Sequence, residues 1–303
     1  MSDPIAVFWT PAGVNIPDIG SKALVDVTDG DTPKIEMPIR MLSVDTPEVT
    51  ARTAEGAAMV DQQFSQLAEW LRAGSAPASP DFAAYILPKL STGQAGTLQF
   101  TNGKAASNWF KAEIDRRLTR PDGSRRKLFV RVSQAPFDNY GRLLAYIAPN
   151  YSPQERATMT HAERATFNLG LVEAGQAAPF VLYPNIPGEL DYPLLTAKAV
   201  EAFEAKRGQW ADPLSLTGYE YRMCEKLFDI TRRLKAGEKL TTAQRFEWRS
   251  RYAADVRTRE LHEPEGYMAI PEPYRLWFWP QDVQDGFAKL NLVPGRSLVR
   301  VRS

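Results

Sequence analysis

The sequence predicts an α+β fold, on three observations. Short strand-like runs crowd into the first fifty residues, longer stretches with helical spacing follow, and the two never settle into the regular alternation of a doubly wound parallel sheet. At 303 residues the chain is longer than one ordinary domain needs, so a main unit with a smaller partner is expected. Its 44% hydrophobic and 24% charged residues and mean hydropathy of -0.35 match a soluble globular protein. No apolar run approaches the ~20 residues that cross a bilayer, so no membrane partner is expected.

Strands come first. After a Pro- and Gly-rich stretch over 1–20, the spacing predicts a strand at Ala23 to Thr28, then a tight hairpin of Lys34 to Met37 and Ile39 to Val44 around Pro38. Ala58, Val60, Phe64, Leu67, Ala68 and Leu71 recur at helical spacing, predicting a helix over Ala54 to Leu71 and a small-residue linker from Gly74 to Pro80. A second helix is expected over about Lys104 to Leu118, stopped by the turn Pro121-Asp122-Gly123-Ser124. Strands over Lys127 to Val132 and Leu143 to Ala148 follow, then helices over Ala162 to Gly175 and Thr196 to Lys206. Beyond Trp210 the charge balance turns positive, and Tyr221 to Leu234 and Thr242 to Leu261 read as helices. This suggests an α-helical C-terminal extension, residues 213–303, after a main domain over 1–212.

Charge and cysteine content narrow the chemistry. Lys+Arg 37 against Asp+Glu 36 leaves a net charge of +1, so any charge used for binding must be local. One cysteine, Cys224, and two histidines, His161 and His262, exclude a Cys/His zinc site, so any metal must be held by oxygen. The run Ile5 to Trp9 is too short for the apolar core of a secretory signal, and a cytoplasmic location is expected.

Three blocks carry the candidate chemistry. In the first, Asp26-Val27-Thr28-Asp29-Gly30-Asp31-Thr32, a strand runs into Asp-Gly-Asp; alone this is ordinary hairpin punctuation. The second, Arg40-Met41-Leu42-Ser43-Val44-Asp45-Thr46-Pro47-Glu48, sets a cation at the start of an apolar strand and two carboxylates past its end. Five positions separate Arg40 from Asp45, so on a regular strand they face opposite ways, and shared duty requires a bend or bulge. Asp31 and Asp45, delivered from neighbouring strand ends, suit a hard cation such as Ca²⁺ or Mg²⁺. The third block, Asp138-Asn139-Tyr140-Gly141-Arg142-Leu143-Leu144-Ala145-Tyr146, puts another arginine at a strand entrance.

In this order the blocks resemble the staphylococcal nuclease (thermonuclease) family: Asp-Gly-Asp-Thr, then Arg-x-x-x-Val-Asp-Thr-Pro-Glu, then Tyr-Gly-Arg-x-Leu-Ala-Tyr. The resemblance covers roughly residues 20–212, with residues 49–100 as a helical insertion. It implies a five-stranded OB-fold β-barrel with packed helices. It further implies an endonuclease that hydrolyses DNA and/or RNA with little sequence preference, leaves 3′-phosphate ends, and uses a divalent metal, Ca²⁺ first, with Mg²⁺ or Mn²⁺ as alternatives. Asp31, Asp45 and the carbonyl of Thr46 would be the metal ligands. Glu48 would serve the attacking water, and Arg40 and Arg142 would clamp the scissile phosphate. Tyr140 matches a tyrosine that touches a substrate phosphate, and Tyr183 one near the base. The sequence departs from the family at Pro33, Asn139 and Val181. The rival readings are an inactive OB-type module that binds nucleic acid or protein, and an effector nuclease whose tail docks a protein partner.

Overall fold

The computed structural model describes residues 19–295, so most of the 1–20 leader lies outside the described residues. The strands β1 (Leu24–Val27), β2 (Pro33–Ile35), β3 (Ile39–Met41) and β4 (Ser43–Asp45) precede helices α1 (Ala54–Arg72), α2 (Pro80–Leu90) and α3 (Ala95–Leu118). Next come β5 (Leu128–Phe137), β6 (Leu143–Pro149), α4 (Pro153–Thr158), α5 (Phe167–Glu173), β7 (Ala178–Leu182) and α6 (Asp191–Glu204). The remainder holds α7 (Gly218–Lys235), α8 (Thr242–Arg245), β8 (Tyr252–Asp255), β9 (Glu260–His262), β10 (Arg275–Phe278), α9 (Val283–Lys289) and β11 (Val293–Pro294). The fold is mixed α+β, as expected. Its sheets have orders β1-β2, β3-β6-β5 and β11-β9-β8-β10-β7-β4; among the described residues none closes into a barrel.

The chain divides into two compact units. One comprises the described residues up to Arg40 with Val132–Ala145; the other comprises Met41–Arg131 and everything from Tyr146 onward. The first unit carries the β1-β2 hairpin, in register Leu24↔Ile35 and Val27↔Pro33. The predicted hairpin partner of the Lys34 to Met37 run is therefore replaced: β2 pairs backwards with β1 across the Asp-Gly turn. Pro33 is tolerated at the first position of its strand, where a missing N–H costs little.

In the second unit α1 begins at a Thr53 cap, whose hydroxyl accepts from Gly56 N–H at 3.0 Å. It buries Phe64 and Leu67 completely, and Trp70 stacks on Phe228 of α7 at 5.3 Å, so the inserted helix is packed in a core. The linker expected from Gly74 runs directly into α2, which starts at a Ser79 cap and buries Phe82, Ile86 and Leu90.

The C-terminal extension is not wholly helical. Thr242 to Leu261 holds only the short α8 before β8 and β9, because Tyr252–Asp255, largely buried, pairs with both β10 and β9. Strand β10 in turn lies parallel to β7, with Leu276 opposite Val181, and β7 is antiparallel to β4, with Val44 opposite Pro179. Residues from both sides of position 212 thus share one sheet and one core, where Phe180 stacks on Trp277 at 5.2 Å.

Candidate functional site

The expected site residues fall in both units and are described within each. In the first unit Asp31 lies at the exposed β1-β2 turn and accepts from the Thr32 hydroxyl at 3.1 Å. Arg40 is half-buried in β3. Tyr140, 81% exposed, and Arg142 sit on a turn organised by Asp138. One Asp138 oxygen accepts the backbone N–H of Tyr140 at 2.9 Å and of Arg142 at 3.0 Å, and the other accepts the Arg142 guanidinium at 2.7 Å. Burial opposes the Asp138 charge, but these donors outweigh it and hold the carboxyl below its usual range. The turn needs Gly141, which has φ of 67° and whose Cβ would lie 2.0 Å from the carbonyl of Ile19. The Arg142 guanidinium also stands 5.3 Å from the centre of the Tyr140 ring.

In the second unit the chain departs from regular strand geometry at Ser43, the first residue of β4, which adopts φ of 60°. Beyond it Asp45 is 1% exposed. One guanidinium nitrogen of Arg222, on α7, donates to both Asp45 oxygens at 2.9 and 3.1 Å. Its second nitrogen donates to Glu48 in a short ion pair. Burial disfavours the charged guanidinium, yet the Asp45 and Glu48 charges more than offset it and raise its pKa above the usual arginine value.

Two helices press on this segment through glycines. A Cβ at Gly218, the first residue of α7, would fall 2.5 Å from the Thr46 carbonyl oxygen and 2.8 Å from Asp45 Oδ2. One at Gly103, on α3, would fall 2.8 Å from the Pro47 carbonyl and 2.9 Å from that of Glu48. Gln99, buried on α3, has its amide between Glu48 N–H and the Leu216 carbonyl; the orientation that satisfies both accepts from the first at 2.8 Å and donates to the second at 3.0 Å.

Tyr183 lies against the sheet, just after β7. Its ring is 6% exposed and stacks on Phe278 at 5.3 Å, and its hydroxyl donates to Asp285 of α9. Strand β10 and α9 of the extension cover the side chain that was expected to face a base. The basic run from Arg116 to Lys127 is largely spent on the protein: Arg116 on Glu113, Arg125 on Asp115 and Arg126 on Glu155. A cavity of about 510 Å³ in this unit, lined among others by Tyr146, Tyr151, His161 and Asp191, touches neither Asp45 nor Glu48.

Among the described residues no group of three or more His, Cys, Asp or Glu side chains is arranged as a metal cage. Hard cations are also held by one or two carboxylates completed by backbone and water oxygens. Asp45 and Glu48 converge on one positive group, which Arg222 supplies. The pair thus holds a positively charged side chain, and its hard oxygen donors are of the kind that Ca²⁺ or Mg²⁺ takes. Arg222 carried no signal in the sequence, being one cation among many on an amphipathic helix 174 positions from Glu48.

No family model matches the chain, and no curated protein matches it. No helix among the described residues is long and apolar enough to cross a membrane.

Proposed function

We propose that the protein is a metal-dependent nuclease of thermonuclease type, acting inside the cell on DNA and/or RNA with little sequence preference. The observation that carries this reading is the segment Arg-x-x-x-Val-Asp-Thr-Pro-Glu, whose Asp45 and Glu48 side chains come close enough to share one positive group, the Arg222 guanidinium. The expected OB barrel belongs to the same reading. Asp31, Asp45 and the Thr46 carbonyl would hold the metal, Ca²⁺ first, and when bound it would supply positive charge against the charge that develops on the phosphate. Glu48 accepts a hydrogen bond from the attacking water and turns its lone pair toward phosphorus. Arg142, held in place by Asp138, presents N–H donors to phosphate oxygens, and Arg40 does the same. Proton donation to the leaving oxygen falls to water, since a guanidinium does not deprotonate.

The test is cleavage of circular plasmid and single-stranded RNA with Ca²⁺, Mg²⁺ or chelator. Cleavage should require metal and drop by about 100-fold or more in Asp31→Ala and in Arg142→Ala. Activity that survives chelation, or is unchanged in both variants, would falsify this assignment. The engagement of both Asp45 oxygens by Arg222 favours one alternative, a module that binds nucleic acid without cutting it. Retention of labelled DNA with no product under any metal would establish that alternative.

A further inference from the structure

Arg222 lies outside the block that resembles a nuclease, yet its guanidinium takes both oxygens of Asp45 and one of Glu48. A Ca²⁺ ion binds carboxylate oxygens at ~2.3–2.6 Å. On Asp45 it would stand within a few ångströms of a guanidinium bonded to the same two oxygens, and like charges at that distance repel strongly. The Thr46 carbonyl is bounded on one side by the amino end of α7 at Gly218. Access to both expected second-unit ligands is thus set by this helix.

We propose that Arg222 and the divalent cation are alternative occupants of the Asp45 carboxylate of this pair, so that this arginine of the C-terminal extension sets the metal affinity of the site. The inference rests on the reading of the pair as part of a metal site. Exchange needs only a side-chain rotation. The α7 backbone is anchored by the Thr217 capping box, and Glu220 on its first turn is ion-paired to Lys89 at 2.7 Å, whereas the Arg222 side chain is 31% exposed and opens toward solvent. With metal on Asp45 the guanidinium gives up its two bonds to that carboxylate and keeps its pair with Glu48. Without metal Arg222 gives the buried Asp45 carboxylate a counter-charge.

The experiment is calorimetric titration of the full chain with Ca²⁺, in wild type, Arg222→Gln, Arg222→Lys and Asp45→Asn, with circular dichroism melts of each. Competition predicts that Arg222→Gln binds Ca²⁺ about tenfold more tightly than wild type, as removal of a charge-assisted hydrogen bond that competes for the same oxygens implies. Arg222→Lys should fall between the two, and Asp45→Asn should lose binding. A structural role moves the affinity the other way, since a loosened site binds metal less well. Equal or weaker Ca²⁺ binding by a folded Arg222→Gln overturns the proposal. Should that variant not fold, Arg222→Lys decides on the same criterion, because lysine keeps the charge but lacks the fork that spans both carboxylates. Metal-dependent cleavage with unchanged affinity would overturn this proposal alone, whereas no Ca²⁺, Mg²⁺ or Mn²⁺ binding by any variant overturns the metal-site reading with it.

Discussion

Arg142 reaches its position through Asp138, a residue that also shapes the turn by accepting two backbone N–H groups. Replacing Asp138 with Ala removes a charge-assisted bond worth ~1.5–3 kcal/mol. Nuclease kcat/KM on plasmid is therefore expected to fall about tenfold or more while Ca²⁺ affinity stays unchanged; a loss of Ca²⁺ binding instead would place Asp138 at the metal. The pH behaviour follows the depressed Asp138 carboxyl. Its contribution to the turn is complete above the unfolded value of ~3.9 and declines as pH falls through the lower folded value. At this scale the motif was legible, because Tyr140, Gly141 and Arg142 are contiguous. The partner that engages Asp45 was not, because contacts of high sequence separation leave no local pattern.

At the scale of elements, the segment Asp45 to Val49 is held between α3 and α7 by two glycines that permit backbone to approach backbone. Gly103→Ala and Gly218→Ala each insert a methyl group where the nearest atoms lie 2.7 and 2.5 Å away. Each should lower the urea midpoint by the equivalent of ~1–3 kcal/mol, the usual cost of overpacking. Gly218→Ala should also weaken Ca²⁺ binding, since it displaces Thr46 and Asp45. Unaltered midpoints would mean that α7 is free to shift. Helix periodicity located α1, the second half of α3, and α7, whose apolar stripes are regular. It missed α2, whose Pro80 reads as a linker residue until it is seen at the first turn of a helix, where its lost N–H has no partner to miss.

On the scale of the molecule, Glu220 ties the insertion to the extension. It is fully buried, pairs with Lys89 of α2, and accepts from the hydroxyls of Tyr85 and Tyr267. Burial pushes its carboxyl up, but the Lys89 and Arg275 charges and these hydrogen bonds prevail and hold it below the ordinary glutamate value. A depressed carboxyl stabilises the fold in full above its unfolded pKa of ~4.3, and that contribution declines below it and is lost as pH falls through the lower folded value. Glu220→Gln should cost about 3–5 kcal/mol, because Lys89 is left buried without its counter-charge, and should flatten the acid limb of the melting curve. A melting temperature equal to wild type at pH 7 would contradict this. Removing residues 213–303 would strip β10 from β7 and expose Phe180 and Tyr183, so the truncated chain is expected to be insoluble or cleaved rapidly by trypsin, visible by gel within minutes.

By itself the sequence determined the α+β class, most helices and strands, and the candidate chemistry of Asp31, Arg40, Asp45, Glu48 and Arg142, because periodicity and short motifs are local properties of the chain. Only the tertiary structure decided that the extension shares a sheet with β7, that Tyr183 is covered by Phe278, and that Arg222 meets Asp45 and Glu48. Those outcomes depend on which apolar faces pair across more than ninety residues and on which buried charge must find a partner once water is excluded.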